Sequence, residues 1–365
     1  MKKYISFITA LAISCTVTLF SSSTAICKGN NNSESIKIMA IGDSITDGFG
    51  VTGSYRKYLY NELTKKGYNI DMVGSKGNNN LVDFTDNESG EYFSYDDDNT
   101  GYSGYSIKEY PGRNGILETL KSTNCLESCS PDIVILQIGT NNIIDNYDAD
   151  KTNEDLNELI DYILDNISES SALFVSTIPS VDPNRQEVYD WFSNYRHSAD
   201  WQTNYSDEEV EENILNTLKL YNINLTSCVQ KKRNSKITDN WDITASFESP
   251  DEKDLHGPHL RNADVASVIT DVKTQFVDGV HPNNIGYKLM GEYWAELLDN
   301  YLKSISSDSN DYISEDLISL QKYILGTKSD MKGNDFLGKY DMNKDKTVDI
   351  YDLVLLRKEL IKNNN

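Results

Sequence analysis

The run Ile36-Lys37-Ile38-Met39-Ala40-Ile41 stops abruptly at Gly42 and hands over to Asp43-Ser44-Ile45-Thr46-Asp47-Gly48. A short isoleucine-rich run closed by glycine is the pattern of a strand buried on both faces, and such strands belong to parallel sheets covered by helices. A turn directly after that strand sits at the carboxyl edge of the sheet, where open α/β proteins keep their ligands. Ser44 is thereby placed as a candidate nucleophile. Alternatively, its hydroxyl only caps the helix that follows.

The chain downstream fits that frame. Strands are expected over Ile36–Ile41, Ile70–Val73, Ile133–Ile138, Leu173–Ile178 and Lys236–Ile243. Helices are expected over Tyr55–Lys66, Ile116–Asn124, Asp155–Ile167 and Glu208–Val229. Alternation of this kind implies a parallel sheet with helices on both faces. The Asn78-Asn79-Asn80 and Asp96-Asp97-Asp98 runs read as loop. The Val181–Gln275 region is longer than a simple crossover needs and mixes charge with Tyr189, Trp191, Phe192, Tyr195, Trp201 and Tyr205. Such an excursion reads as a substrate-binding embellishment, with core packing as the role of most of its aromatics.

Composition narrows the partner. A formal net charge of -23 over 365 residues repels nucleic acid and anionic membrane at long range, so a neutral substrate is expected. Lys2 and Lys3 followed by an apolar run to Phe20 and Ser21-Ser22-Ser23-Thr24-Ala25 predict a signal peptide over residues 1–26 and hence secretion. Of the five cysteines, Cys15 leaves with that segment. Cys125 and Cys129 either sit one helical turn apart or form a local disulfide. No cysteine and histidine spacing of the structural zinc type occurs.

Three further constellations bear on chemistry. Asn99-Thr100-Gly101-Tyr102-Ser103-Gly104-Tyr105 lets a backbone N–H approach a ligand without a Cβ in the way. Ile133-Val134-Ile135-Leu136-Gln137-Ile138-Gly139-Thr140-Asn141-Asn142 is a second buried strand whose terminal turn presents a side-chain amide, a donor for a developing oxyanion or an ordinary turn asparagine. In Val277-Asp278-Gly279-Val280-His281-Pro282-Asn283 an acid and an imidazole three residues apart can face one side, the carboxylate orienting the ring. Only four histidines exist, and His256 and His259, with Asp254 nearby, compete for the role of base. His281 is preferred because it precedes a helical pattern, at what reads as a strand-to-helix junction, with an acid at defined spacing.

Gly42-Asp43-Ser44-Ile45, Gly104, Gly139-Thr140-Asn141 and Asp278-x-x-His281 together resemble, in order, the four sequence blocks of the SGNH (GDSL-type) hydrolases. Gly42–Gly50, Gly101–Tyr105 and Asp278–Asn283 are similar to secreted carbohydrate esterases that remove acetyl groups from xylan. The resemblance covers residues 35–304 and fits worst over Val181–Gln275. It implies a flavodoxin-like three-layer α/β/α sandwich with Ser44 as nucleophile, His281 as base and Asp278 as its orienter. It also implies an oxyanion hole from the Ser44 and Gly104 N–H groups and the Asn141 side chain, with no metal for catalysis. Asn142 departs from the family, which usually carries an aspartate there.

Beyond Tyr301 the texture changes, and Lys303–Asn310 reads as a polar link. Asp341, Asn343, Asp345, Asp349 and Asp352 fall at positions one, three, five, nine and twelve of a loop to which Thr347 adds a carbonyl, a donor set for a hard cation such as calcium. Lys346 stands where an EF-hand has its turn glycine, and Asp352 where it has a glutamate. The aspartate and the following Leu353–Leu360 resemble dockerins, which implies a small all-α calcium-binding dockerin domain over residues 305–365. Ile313–Gly326 resembles the helix of a first dockerin repeat, but Ser306, Asp308 and Asn310 are out of register with Asp316, so one good and one degenerate or absent calcium site are expected. The resemblance implies docking onto a cohesin module of a cellulosome scaffold. The expected protein is thus a secreted, cellulosome-associated esterase of acetylated polysaccharide. A lipase or lysophospholipase, or a non-catalytic glycan-binding module, is the alternative.

Overall fold

The computed structural model describes residues 35–145, 149–195, 206–238, 258–307, 314–324, 339–342 and 347–362. The leader expected over residues 1–26 and His256 with Asp254 lie outside them. So do the aromatics Trp201 and Tyr205, and Asn343 and Asp345 of the C-terminal loop.

In chain order, β1 (Ile36–Gly42) leads into a single helical turn, α1 (Ser44–Asp47), then α2 (Ser54–Lys65) and β2 (Ile70–Val73). A hairpin of β3 (Leu81–Thr85) and β4 (Tyr92–Asp96) precedes the short β5 (Thr100–Gly101). Next come α3 (Ile116–Thr123), α4 (Cys125–Cys129), β6 (Ile133–Gln137), α5 (Thr140–Ile144), α6 (Ala149–Asp165) and β7 (Ala172–Ser176). The chain continues with α7 (Gln186–Tyr195), α8 (Asp207–Thr238), β8 (His259–Ala263), α9 (Val272–Gln275) and α10 (Asn284–Ser307). Two C-terminal helices are α11 (Ser314–Ile324) and α12 (Ile350–Lys362).

The main sheet has the order β2-β1-β6-β7-β8 with every pairing parallel. One edge position is shared: β2 pairs with Ile36–Met39 of β1, and β5 continues alongside Ile41 and Gly42. The chain moves outward from β1 to β2 and then returns across β1 to β6. The topological switch point therefore falls between β1 and β6, and ligands of such sheets bind outside the carboxyl ends of the strands there. Ser44 follows β1 and Asn141 follows β6.

Alternation along each strand divides two cores. On one face Met39 and Ile41, Val134 and Leu136, and Leu173 and Val175 pack against α3, α6 and α8. On the other, Phe174 meets Trp294 and Tyr301 of α10 edge-on, with ring centroids 6.4 and 5.3 Å apart, and Tyr55 of α2 stacks on Trp294. Helix α10 forms because Tyr287, Met290, Trp294, Leu298 and Tyr301 recur at helical spacing, and all are buried. The result is the three-layer arrangement that the sequence implied.

The Val181–Gln275 region departs from expectation. Val210, Ile214, Leu218, Tyr221, Leu225 and Val229 line one face of α8 and are buried in the main core, so this helix is a layer of the fold rather than an embellishment. Of the region's aromatics, Trp191 packs half-buried against the same core. Lys236 belongs to the end of α8 and not to a strand, and residues 239–243 lie outside those described. The fifth main strand is instead β8, at the sheet edge. The Asp96–Asp98 run also differs, since Asp96 ends β4 of the hairpin.

Cys125 and Cys129 sit one turn apart at the two ends of α4, and both are free thiols. Residues 303–307 of the expected polar link belong to α10, and residues 308–310 lie outside those described. Helices α11 and α12 pack through Leu320, Tyr340 and Leu356, with Leu317, Val348 and Leu353 around them. Among the described residues no helix is long and apolar enough to cross a membrane.

Candidate active site

Gly42 is what lets the nucleophile turn start where it does: a Cβ there would stand 2.2 Å from the Gln137 carbonyl oxygen of β6. Asp43 then caps α1, its Oδ1 accepting from the Ile45 N–H at 3.0 Å, and Ser44 opens the helix. On the opposite lip, an isolated bridge between Phe276 and Pro282, with the Val277 N–H donating to the His281 carbonyl at 2.9 Å, closes a tight loop. That loop joins α9 to α10, so His281 lies between two helices and not at the strand-to-helix junction expected.

The three distant residues meet. His281 Nε2 lies 2.8 Å from Ser44 Oγ, and His281 Nδ1 lies 2.7 Å from Asp278 Oδ2. Asp278 Oδ1 accepts from the Val280 and His281 N–H groups at 3.0 and 2.8 Å, which fixes the carboxylate within its own loop. Burial pushes the Asp278 carboxyl up. The His281 side chain, its backbone N–H and its charge outweigh that and hold it below the ordinary value. Because an ionised carboxylate only accepts, the Nδ1 facing it carries the ring proton and Nε2 is left with its lone pair toward the serine.

The competing histidine is placed elsewhere. His259 lies on β8, its Nδ1 2.8 Å from the Tyr301 hydroxyl.

The three expected oxyanion donors come from segments stitched around Ser44. The Tyr102 N–H donates to the Gly42 carbonyl at 2.9 Å, and the Ser103 hydroxyl donates to Asp47 Oδ2 of α1 at 2.7 Å. Gly104 sits at φ +81°, a left-handed conformation that favours glycine. Asn141 Nδ2 donates one proton to the Tyr105 carbonyl at 2.8 Å, leaving its second N–H for a ligand. Among the described residues no protein acceptor is bonded to the Ser44 or Gly104 N–H. Asn142 is fully buried, and its Oδ1 accepts from the Ile107 N–H at 3.1 Å, a task an aspartate oxygen would also perform.

Two features escaped sequence reasoning. The Phe49 ring packs 4.5 Å from the His281 ring while 52% exposed, and Val277 of the His281 loop is a second exposed apolar side chain. Asp43 is buried beside the triad, and desolvation lifts its carboxyl to about 6 from 3.8, against the pull of the Ile45 N–H, the His281 charge and Thr140.

An acid whose folded pKa is raised binds its proton more tightly when folded, so stability falls as pH climbs from about 4 to about 6. Asp43→Asn keeps a capping oxygen and removes the buried charge. Its stability at pH 7.5, read from melting curves, should exceed wild type by on the order of 3 kcal/mol, and the gain should vanish near pH 4. Equal melting curves at both pH values would count against a strained Asp43.

A separate cavity of about 610 Å³ opens between α8, β8 and α10, lined by Leu215, Asn222, Asp264 and Tyr293, and no triad residue lines it.

In the C-terminal unit, Asp352 is fully buried, and its two oxygens accept from the Met342 and Asp349 N–H groups, each at 2.7 Å. The carboxylate thus draws the two ends of the loop together. Asp341, Thr347 and Asp349 are among the described residues and supply only oxygen donors, a chemistry that fits a hard cation. Among the described residues no three His, Cys, Asp or Glu side chains cluster as metal ligands. Ser306 belongs to α10, and Asp308 and Asn310 of the first loop lie outside the described residues.

The chain is similar to known proteins. The model of the family described as GDSL-like Lipase/Acylhydrolase matches residues 38–294. A "Multidomain esterase" of Ruminococcus flavefaciens is 32% identical over 375 residues, covering all of this chain and 40% of that protein, so the chain spans well under half of its relative's length. Among solved structures, a Clostridium thermocellum family 3 carbohydrate esterase is 24% identical, with TM-score 0.46, over 75% of this chain and 100% of its own. An acetylxylan esterase from Geobacillus stearothermophilus is 15% identical, with TM-score 0.41, over 72% of this chain and 93% of its own. With the family's blocks assembled around Ser44 and its model matching most of the sequence, the chain belongs to the GDSL-like lipase/acylhydrolase family.

Proposed function

We propose that the protein is a secreted serine esterase that removes acetyl groups from plant cell-wall polysaccharide, xylan first among them. The observation that carries the reading is the hydrogen-bonded chain from Ser44 Oγ through His281 to Asp278. In the first half-reaction His281 Nε2 takes the Ser44 proton as Oγ attacks the ester carbonyl, and the imidazolium is stabilised by Asp278. The Ser44 and Gly104 N–H groups and the free Asn141 amide N–H receive the oxyanion. Collapse of the intermediate passes the His281 proton to the leaving sugar hydroxyl and leaves an acetyl ester on Ser44. Water, deprotonated by the same imidazole, then attacks that ester, and return of the proton from His281 to Ser44 Oγ breaks the acyl bond and releases acetate.

Family membership and the esterase name of the 32% identical relative support acyl transfer. A neutral acetylated sugar suits a chain of net charge -23 better than a phosphate-bearing lipid does. The exposed Phe49 ring beside His281 suits the acetyl methyl or the apolar face of a sugar ring. The test compares acetate release from acetylated xylan with turnover of long-chain acyl esters. The reading predicts the first to dominate; preference for long chains would make the protein a lipase instead.

The second part of the proposal is a calcium-binding dockerin in the C-terminal unit that tethers the enzyme to a cohesin and raises its effective concentration among other wall-degrading enzymes. Asp341, Asn343, Asp345, the Thr347 carbonyl, Asp349 and Asp352 would hold the ion, which would cross-link the loop. Millimolar calcium is expected to raise the melting temperature of this unit and chelator to lower it, with acetyl-ester hydrolysis unchanged. Identical transitions with and without calcium would remove the ion from the account.

A further inference from the structure

Three segments carry the oxyanion donors, and one ion pair touches two of them. We propose that the Arg113–Asp145 pair is a brace that holds the Gly104 N–H and the Asn141 amide at a fixed separation, an inference that rests on the acyl-transfer reading above. Arg113 Nη1 donates to the Gly104 carbonyl at 3.1 Å, while Nε and Nη2 donate to Asp145 Oδ2 and Oδ1 at 2.6 and 2.7 Å. Asp145 is the residue that ends α5, and its own N–H donates to the Asn141 carbonyl at 3.0 Å. One planar guanidinium therefore grips the loop of one donor and the helix of the other.

The brace is itself supported. Reciprocal backbone hydrogen bonds between Tyr110 and Arg113, at 3.1 and 2.8 Å, set the turn from which Arg113 projects. The Tyr110 hydroxyl donates to Asp145 Oδ2 at 2.9 Å. The pair is sheltered, with side chains 19% and 9% exposed, so solvent screens it less than a surface pair. Gly104 needs such a partner: at φ +81° and without a Cβ it has no side-chain packing of its own to fix its peptide planes. Only a rigid fork reaches all three acceptors; the single ammonium of lysine does not.

Oxyanion charge develops only in the transition state, so a loosened brace lowers kcat and leaves KM in place. With a simple acetyl ester, Arg113→Met and Asp145→Asn should each reduce kcat about 10- to 100-fold. Inhibition by a small boronic acid, whose adduct on Ser44 places an oxygen where the oxyanion forms, should weaken by the same factor. Arg113→Lys should not restore the rate, and the double variant should be no slower than the slower single one. If Arg113→Met does not fold by thermal melting, Asp145→Asn carries the test.

Unchanged kcat in folded variants, a loss confined to KM with boronic acid inhibition intact, or additive losses would each overturn the brace. In those cases wild type still hydrolyses the ester through Ser44 and the acyl-transfer reading stands. A wild type that hydrolyses no acetyl ester would instead take down that reading and the brace with it.

Discussion

Ser44→Ala is expected to lower hydrolysis of a simple acetyl ester by about 10⁴-fold or more in kcat while leaving the melting temperature unchanged. Ser44 is the one hydroxyl bonded to His281 Nε2 among the described residues, at 2.8 Å and buried at the carboxyl end of β1. No neighbouring nucleophile takes over, because the ring is aimed at this oxygen by Asp278. Alanine is a good helix former at the start of α1, and the Asp43 cap does not involve the Ser44 hydroxyl. Activity is therefore lost without loss of fold. Hydrolysis by the variant within tenfold of wild type would place the reaction at another residue.

Asp278→Asn is expected to cost on the order of 10³- to 10⁴-fold in kcat, with substrate binding little changed. The amide oxygen can still accept from the Val280 and His281 N–H groups, so the loop should keep its shape. Its NH₂ then faces Nδ1, and the ring must accept there and carry its proton on Nε2. An Nε2–H cannot take the Ser44 proton. A variant of near wild-type rate would mean that the loop alone, through the Phe276–Pro282 bridge, sets the ring orientation and that the carboxylate charge contributes little.

The parts of this arrangement legible in the sequence are those where local pattern and function coincide. β1, β6 and β7 are buried on both faces, so their apolar runs stand out, and the residues that follow β1 and β6 are the Ser44 and Asn141 turns. β8 carries His259-Leu260-Arg261-Asn262-Ala263, with only Leu260 and Ala263 buried, and an edge strand so polar gives no run to read. Of the strand expected over Lys236–Ile243, the described residues 236–238 are helical for the converse reason. An apolar stripe beginning at Val210 propagates α8 through Thr238, and helix continuation overrides the local preference of a few residues.

Asp278 and His281 were legible because they lie within one loop. Arg113 and Asp145 were not, since the two are brought together only by the fold and neither falls in a recognisable block. The burial of Asp43 was equally hidden: its place in the turn is local, but its desolvation comes from surrounding layers of the fold.

The central claim, that Ser44 Oγ is the nucleophile activated by His281, is tested most directly by covalent capture with a small organophosphate ester. Intact mass should show one adduct, peptide mapping should place it on Ser44, and activity should fall in step with labelling, while His281→Ala should label far more slowly. An adduct on another residue that abolishes activity, or full activity in protein quantitatively labelled at Ser44, would contradict the account.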